Sequence, residues 1–136
     1  MVFTIRTTIE VLGYPENHVK EVMDKVIEKL KKEEGIQVLK EEINKPEKIK
    51  ETFFASSAEL EIKLNDFSKL LHFCYDYLPS SLEILDTEKV TMPIREFALG
   101  INELVAKLHH YNLILNNISK KLQESVQQNK EVEKAN

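Results

Sequence analysis

The sequence predicts an α+β protein: a βαββαβ two-layer sandwich on an antiparallel sheet, followed by one long helix. Three observations carry this. Residues 3–11 and 53–64 alternate apolar and polar positions with period two, as half-buried strands do. Residues 19–30 and 67–78 repeat apolar side chains at helical spacing. From Ile94 to Leu122 an apolar residue returns every seven positions, with a second series three residues later.

The first strand sends Phe3, Ile5, Thr7, Ile9 and Val11 one way and Thr4, Arg6, Thr8 and Glu10 the other. Gly13 and Pro15 end it, and Pro15 suits the first turn of a helix. That helix carries Val19, Val22, Met23, Val26, Ile27 and Leu30, with Gly35 as the expected C-terminal cap. "IQVLKEEI" (36–43) reads as a second strand, and 44–51 as a polar connection broken by Pro46. In the third strand Ser56, Ala58, Leu60, Ile62 and Leu64 share a face; Phe53, Ala55, Ser57, Glu59, Glu61 and Lys63 share the other. Asn65 and Asp66 are both good N-caps for a second helix bearing Phe67, Leu70, Leu71, Cys74 and Leu78. Pro79 and two serines stop it, "SLEIL" forms a fourth strand, and Pro93 stands near the start of the final helix.

Two right-handed βαβ crossovers joined by a hairpin put both helices on one face of the sheet, with strands one and three central. This order resembles the ferredoxin-like sandwich, a group that includes small-molecule-sensing regulatory modules of the ACT type. Fold analogy alone implies little about activity. The expected division is a ferredoxin-like domain over 1–91, a long oligomerisation helix over 92–126, and a frayed or disordered tail over 127–136.

The long helix is the feature that most needs a purpose. Ile94, Ile101, Leu108, Leu115 and Leu122 form one line of its seam, and Phe97, Leu104, Tyr111 and Ile118 the other. A helix from 94 to 123 is about 45 Å long, whereas the strands reach only about 17 to 33 Å. The seam therefore outruns its own sheet. Ala98, Leu99 and Val105 widen the apolar face in the first half; beyond Leu115 it narrows, with asparagines and lysines beside it. A sustained narrow seam pairs with another helix, so self-association is expected, with an intramolecular lid as the alternative. The flanks offer no pattern of opposite charges, which favours an antiparallel pair or a bundle over a parallel zipper.

Composition excludes several partners. The net charge of -4 and the interleaving of Lys with Glu argue against a nucleic-acid surface. No apolar run approaches the ~18–20 residues that span a bilayer. Cys74 is the only cysteine, which removes internal disulfides and cysteine zinc cages. The N-terminal stretch lacks a signal-peptide core, so a cytoplasmic location is expected.

Candidate chemistry is sparse. His72 and Cys74 lie two apart on a helix and point to different sides, and Cys74 falls on the apolar stripe. His109 and His110 have no ligand-type residue three or four positions away, and His18 sits at a helix start. Arg6, Glu59 and Glu61 would be neighbours on the sheet's second face, with Thr4, Thr8 and Ser57 around them. Such a group is either a solvated charge ladder or, once covered, a polar pocket that holds a small ligand or fixes subunit register. No nucleotide-binding, zinc-protease or nucleophile-elbow motif occurs, and no cofactor is expected. The reading is a non-enzymatic homo-oligomeric assembly or regulatory module. The alternatives are a small-ligand sensor with its pocket at a subunit interface near Arg6, Glu59 and Glu61, and last an enzyme using those carboxylates or interface histidines.

Overall fold

The computed structural model describes residues 1–135. Eight elements follow in order: β1 (Phe3–Gly13), α1 (Glu16–Lys32), β2 (Ile36–Ile43), β3 (Glu47–Lys50), β4 (Phe53–Leu64), α2 (Phe67–Tyr77), β5 (Ser81–Leu85) and α3 (Ile94–Ala135). The strands form one antiparallel sheet in the order β2-β4-β1-β5, with β3 also paired to β4.

The two central strands pair from Phe3 opposite Leu64 to Gly13 opposite Phe54. Their alternation divides the layers as read from the sequence. Phe3, Ile5, Thr7 and Ile9 are buried on β1, as are Ser56, Ala58, Leu60, Ile62 and Leu64 on β4. Against that face α1 buries Val19, Met23, Ile27 and Leu30, and α2 buries Leu70 and Phe73. Thr7 is the polar exception among the β1 residues, and its hydroxyl donates to the Ser81 carbonyl at 2.7 Å.

Three local features differ from the sequence reading. Residues 47–50 are a strand, β3, rather than part of a polar connection. β4 outruns β2 at its N-terminal end, and "EKIK" uses the edge left free there, pairing Glu47 with Ala55 and Lys50 with Phe53. Ladder hydrogen bonds outweigh the weak strand propensity of Glu and Lys. Leu78 is not on the core stripe of α2: it is the C-cap, at φ 45°, and 73% exposed. Phe73 takes the buried place instead. Glu33, not Gly35, caps α1; Gly35 follows at φ +83°, a conformation suited to glycine. Of the two candidate N-caps before α2 it is Asp66 whose carboxylate accepts from the Lys69 N–H, at 2.9 Å.

The chain divides into two compact units, Met1–Gly100 and Ile101–Asn136. The first holds the sheet, α1, α2 and the opening turns of α3. There Phe97 stacks on Phe67 at 5.6 Å, and Phe67 tilts against Phe3 at 6.4 Å. Glu96 Oε1 accepts from the N-terminal ammonium at 3.3 Å and from the Phe67 N–H at 3.5 Å. These contacts tie residues 94–100 to the Met1–Gly100 unit. The second unit is helix, about 50 Å from Ile101 to Ala135 at ~1.5 Å per residue. Its backbone is helical past Gln127 to Ala135; Asn136 lies outside the described residues.

Candidate functional site

The second face of the sheet is the one that α1 and α2 leave uncovered, and strand register sets its pattern. Arg6 lies opposite Glu61 on β4 and opposite Glu83 on β5. Glu61 lies opposite Lys40 on β2. One row, Lys40–Glu61–Arg6–Glu83, thus crosses four strands with alternating charge. Arg6 donates through Nη2 to Glu61 and through Nη1 to Glu83, each at 3.3 Å, and Lys40 Nζ is 3.7 Å from Glu61. Glu59 lies in the neighbouring row, between Glu42 and Thr8. The three residues singled out in the sequence therefore share one face and line one hollow of about 430 Å³, together with Lys40 and Glu42. Only Arg6 and Glu61 are in direct contact.

The Arg6 side chain is 56% exposed and that of Glu61 21%. Charges at such depth interact through largely solvated surroundings, and each pair contributes about 0–1 kcal/mol. Lys40 and Glu83 complete the row but escape a reading of the sequence. A β-bulge between Val38 and Lys40 shifts the phase of β2, and period-two alternation cannot reveal a bulge. Glu83 sits in a five-residue strand whose partner and register no local pattern fixes.

The α3 seam is the second feature. Ile94 and Phe97 are exposed, although Phe97 has one ring face on Phe67. Ile101 is exposed, and Leu104 and Tyr111 are partly buried. Lys107 Nζ stands 5.3 Å from the Tyr111 ring centroid. Leu108, Leu115, Ile118 and Leu122 are each more than half exposed. The periodicity continues weakly to Val132, which is also exposed.

Other candidates have ordinary surroundings. His72 lies 3.8 Å from Asp76 and packs its ring on Tyr75 at 4.9 Å. Cys74 is partly buried against the core, and that burial raises its thiol pKa. His18, His109 and His110 are exposed. Among the described residues no group of three or more His, Cys, Asp and Glu side chains has metal-site geometry, and no helix is long and apolar enough to cross a membrane.

Fold and site together define a mixed α+β protein with a five-stranded antiparallel sheet, three helices, and an exposed apolar seam on the last. The chain belongs to the MJ0538 family, whose model matches residues 4–135. No curated protein and no solved structure matches it.

Proposed function

We propose that this chain is a cytoplasmic, non-catalytic module that assembles with copies of itself through α3. The observation that carries this reading is the exposure of Leu108, Leu115, Ile118 and Leu122, at 56 to 65%, along the two lines of one helical seam. Burying the exposed part of each such side chain is worth roughly 1–2 kcal/mol. A helix about 50 Å long gains little from intrinsic propensity alone, and a partner helix supplies the missing burial. Flanks without a pattern of opposite charges support an antiparallel pair or a bundle. The α+β domain is then the part that each copy displays. Its strand order β2-β4-β1-β5 supports a ferredoxin-like assignment, with β3 as an addition. The acidic net charge leaves nucleic acid outside the expected partners.

Size-exclusion chromatography with light scattering tests this on the full chain and on the Leu115→Glu/Ile118→Glu variant. An oligomer that falls to a monomer in the variant supports assembly through the seam. A monomeric full chain overturns it.

A second reading has one observation in its favour, the hollow that Arg6, Glu59 and Glu61 line together. Placed at a subunit interface, it would hold a small polar ligand and make the module a sensor. Thermal shift against a panel of polar metabolites is the test, because a ligand of the native state alone raises the melting temperature. A shift lost in Glu59→Gln and Glu61→Gln supports the sensor; no shift with any ligand counts against it.

A further inference from the structure

The charge row on the uncovered face is antisymmetric about its own centre. Reading across β2, β4, β1 and β5 it runs plus, minus, plus, minus, with Lys40 and Glu83 at the ends and Glu61 and Arg6 in the middle. We infer that this face contacts the same face of a second copy, about a two-fold axis running parallel to the strands between β4 and β1. The inference rests on assembly through α3, for a reason of size. Four strands at about 4.8 Å spacing and about 20 Å of strand length give roughly 400 Å² of face. A stable interface takes about 800 Å² per partner, so the sheets meet because the helices hold the copies together, and the face sets their register.

The pairing follows from the register. A two-fold axis parallel to the strands keeps each row in place and exchanges its ends. Lys40 then faces the second copy's Glu83, and Glu61 its Arg6. In the next row, Glu42–Glu59–Thr8–Ser81, the exchange sets Glu42 against Ser81 and Glu59 against Thr8. Further along, Glu10, which pairs Ser57 within the chain, faces Ser57 of the other copy. On the opposite side Lys63 meets Thr4. Each carboxylate thus meets a cation or a hydroxyl donor, and no like charges face one another. The alternative in-plane axis, along the rows, sets Lys40 on Lys40, Glu61 on Glu61 and Glu83 on Glu83. Those like-charge contacts exclude it.

The test uses full-length chains with Cys74→Ser, to remove the native thiol, plus either Lys40→Cys or Glu83→Cys. Sheets stacked face to face lie about 10 Å apart, beyond the roughly 7 Å Cα separation that a disulfide tolerates, so the probe is a short bismaleimide that links two thiols. The two cysteines are carried on separate chains, one Lys40→Cys and the other Glu83→Cys, so any 40–83 link is between copies. The mixture should give a cross-linked dimer roughly tenfold faster than either single variant alone, because assembly fixes a high local concentration. A companion pair, Lys40→Glu and Glu83→Lys, should each dissociate at a lower dilution factor than the native chain, and an equimolar mixture should recover native behaviour. Oligomers that persist by light scattering without 40–83 links or charge rescue overturn the face contact and leave assembly through α3 standing. Monomers at every concentration overturn both.

Discussion

Gly100 lies against the ring of Phe67 so closely that a Cβ there would stand 2.5 Å from Cδ1 and 2.6 Å from Cε1. Leu71 closes the same spot, with its Cδ1 at 3.1 Å. Both contacts fall inside the Met1–Gly100 unit, where the opening turns of α3 lie on α2. A glycine inside a helix costs about 1 kcal/mol against alanine, and the close approach offsets that cost. The seven residues from Ile94 to Gly100 are thus part of the domain's packing, and the seam beyond them is a separate matter.

Gly100→Ala should therefore destabilise the chain by about 1–3 kcal/mol, despite alanine's better helix propensity, because the added methyl group displaces an aromatic ring. Phe67→Leu in the same chain should recover part of the loss by opening space. Urea denaturation of the single and double variants checks this; a more stable Gly100→Ala would mean that the ring moves freely.

Leu78 holds φ 45° and ψ 59° at the end of α2, with its N–H donating to the Cys74 carbonyl at 3.1 Å. Its side chain is mostly exposed and contributes little to the core. Leu78→Gly keeps the cap and removes the left-handed strain, so it should raise stability by roughly 0.5–1 kcal/mol. Thermal melting is sufficient to see it.

Cys74 and Tyr77 make stability depend on alkaline pH. Burial raises the thiol above its usual 9.0, and burial with the nearby Glu33 charge raises the phenol well above its usual 10.0. As pH rises the unfolded chain loses these protons first, so their contribution is complete below about pH 9 and shrinks above it. The melting temperature should fall from about pH 9 upward, more steeply past 10. Cys74→Ala should flatten the first part of that fall and Tyr77→Phe the second, in melts across pH 7 to 11.

Arg6→Gln should cost less than about 1 kcal/mol in a chain held monomeric by seam substitutions, since its two carboxylate partners are partly solvated. Denaturant midpoints with and without 0.5 M salt should nearly coincide for the variant. A larger loss would mean that the row contributes directly to folding.

Much of this was legible in the sequence. Period-two alternation in 3–11 and 53–64 located the core face of both central strands, because one face of each is buried and the other is not. Helical spacing found Val19, Met23, Ile27 and Leu30 for the same reason. The gaps have local causes. β3 exists because an unpaired edge of β4 was available, a tertiary circumstance that "EKIK" does not announce. Leu78 looked like a stripe residue by spacing alone, but α2 ends one residue earlier at Tyr77. Of the charged face, Arg6 and Glu61 followed from the central pairing, while Lys40 depended on a bulge and Glu83 on the register of an edge strand.

The central claim is that the α3 seam joins copies of this chain. Its most direct test is absolute mass by light scattering after size exclusion, over a hundredfold range of concentration, with the Leu115→Glu/Ile118→Glu variant beside the native chain. The account predicts a native oligomer of constant mass and a folded, monomeric variant. A native chain that stays monomeric throughout would contradict it.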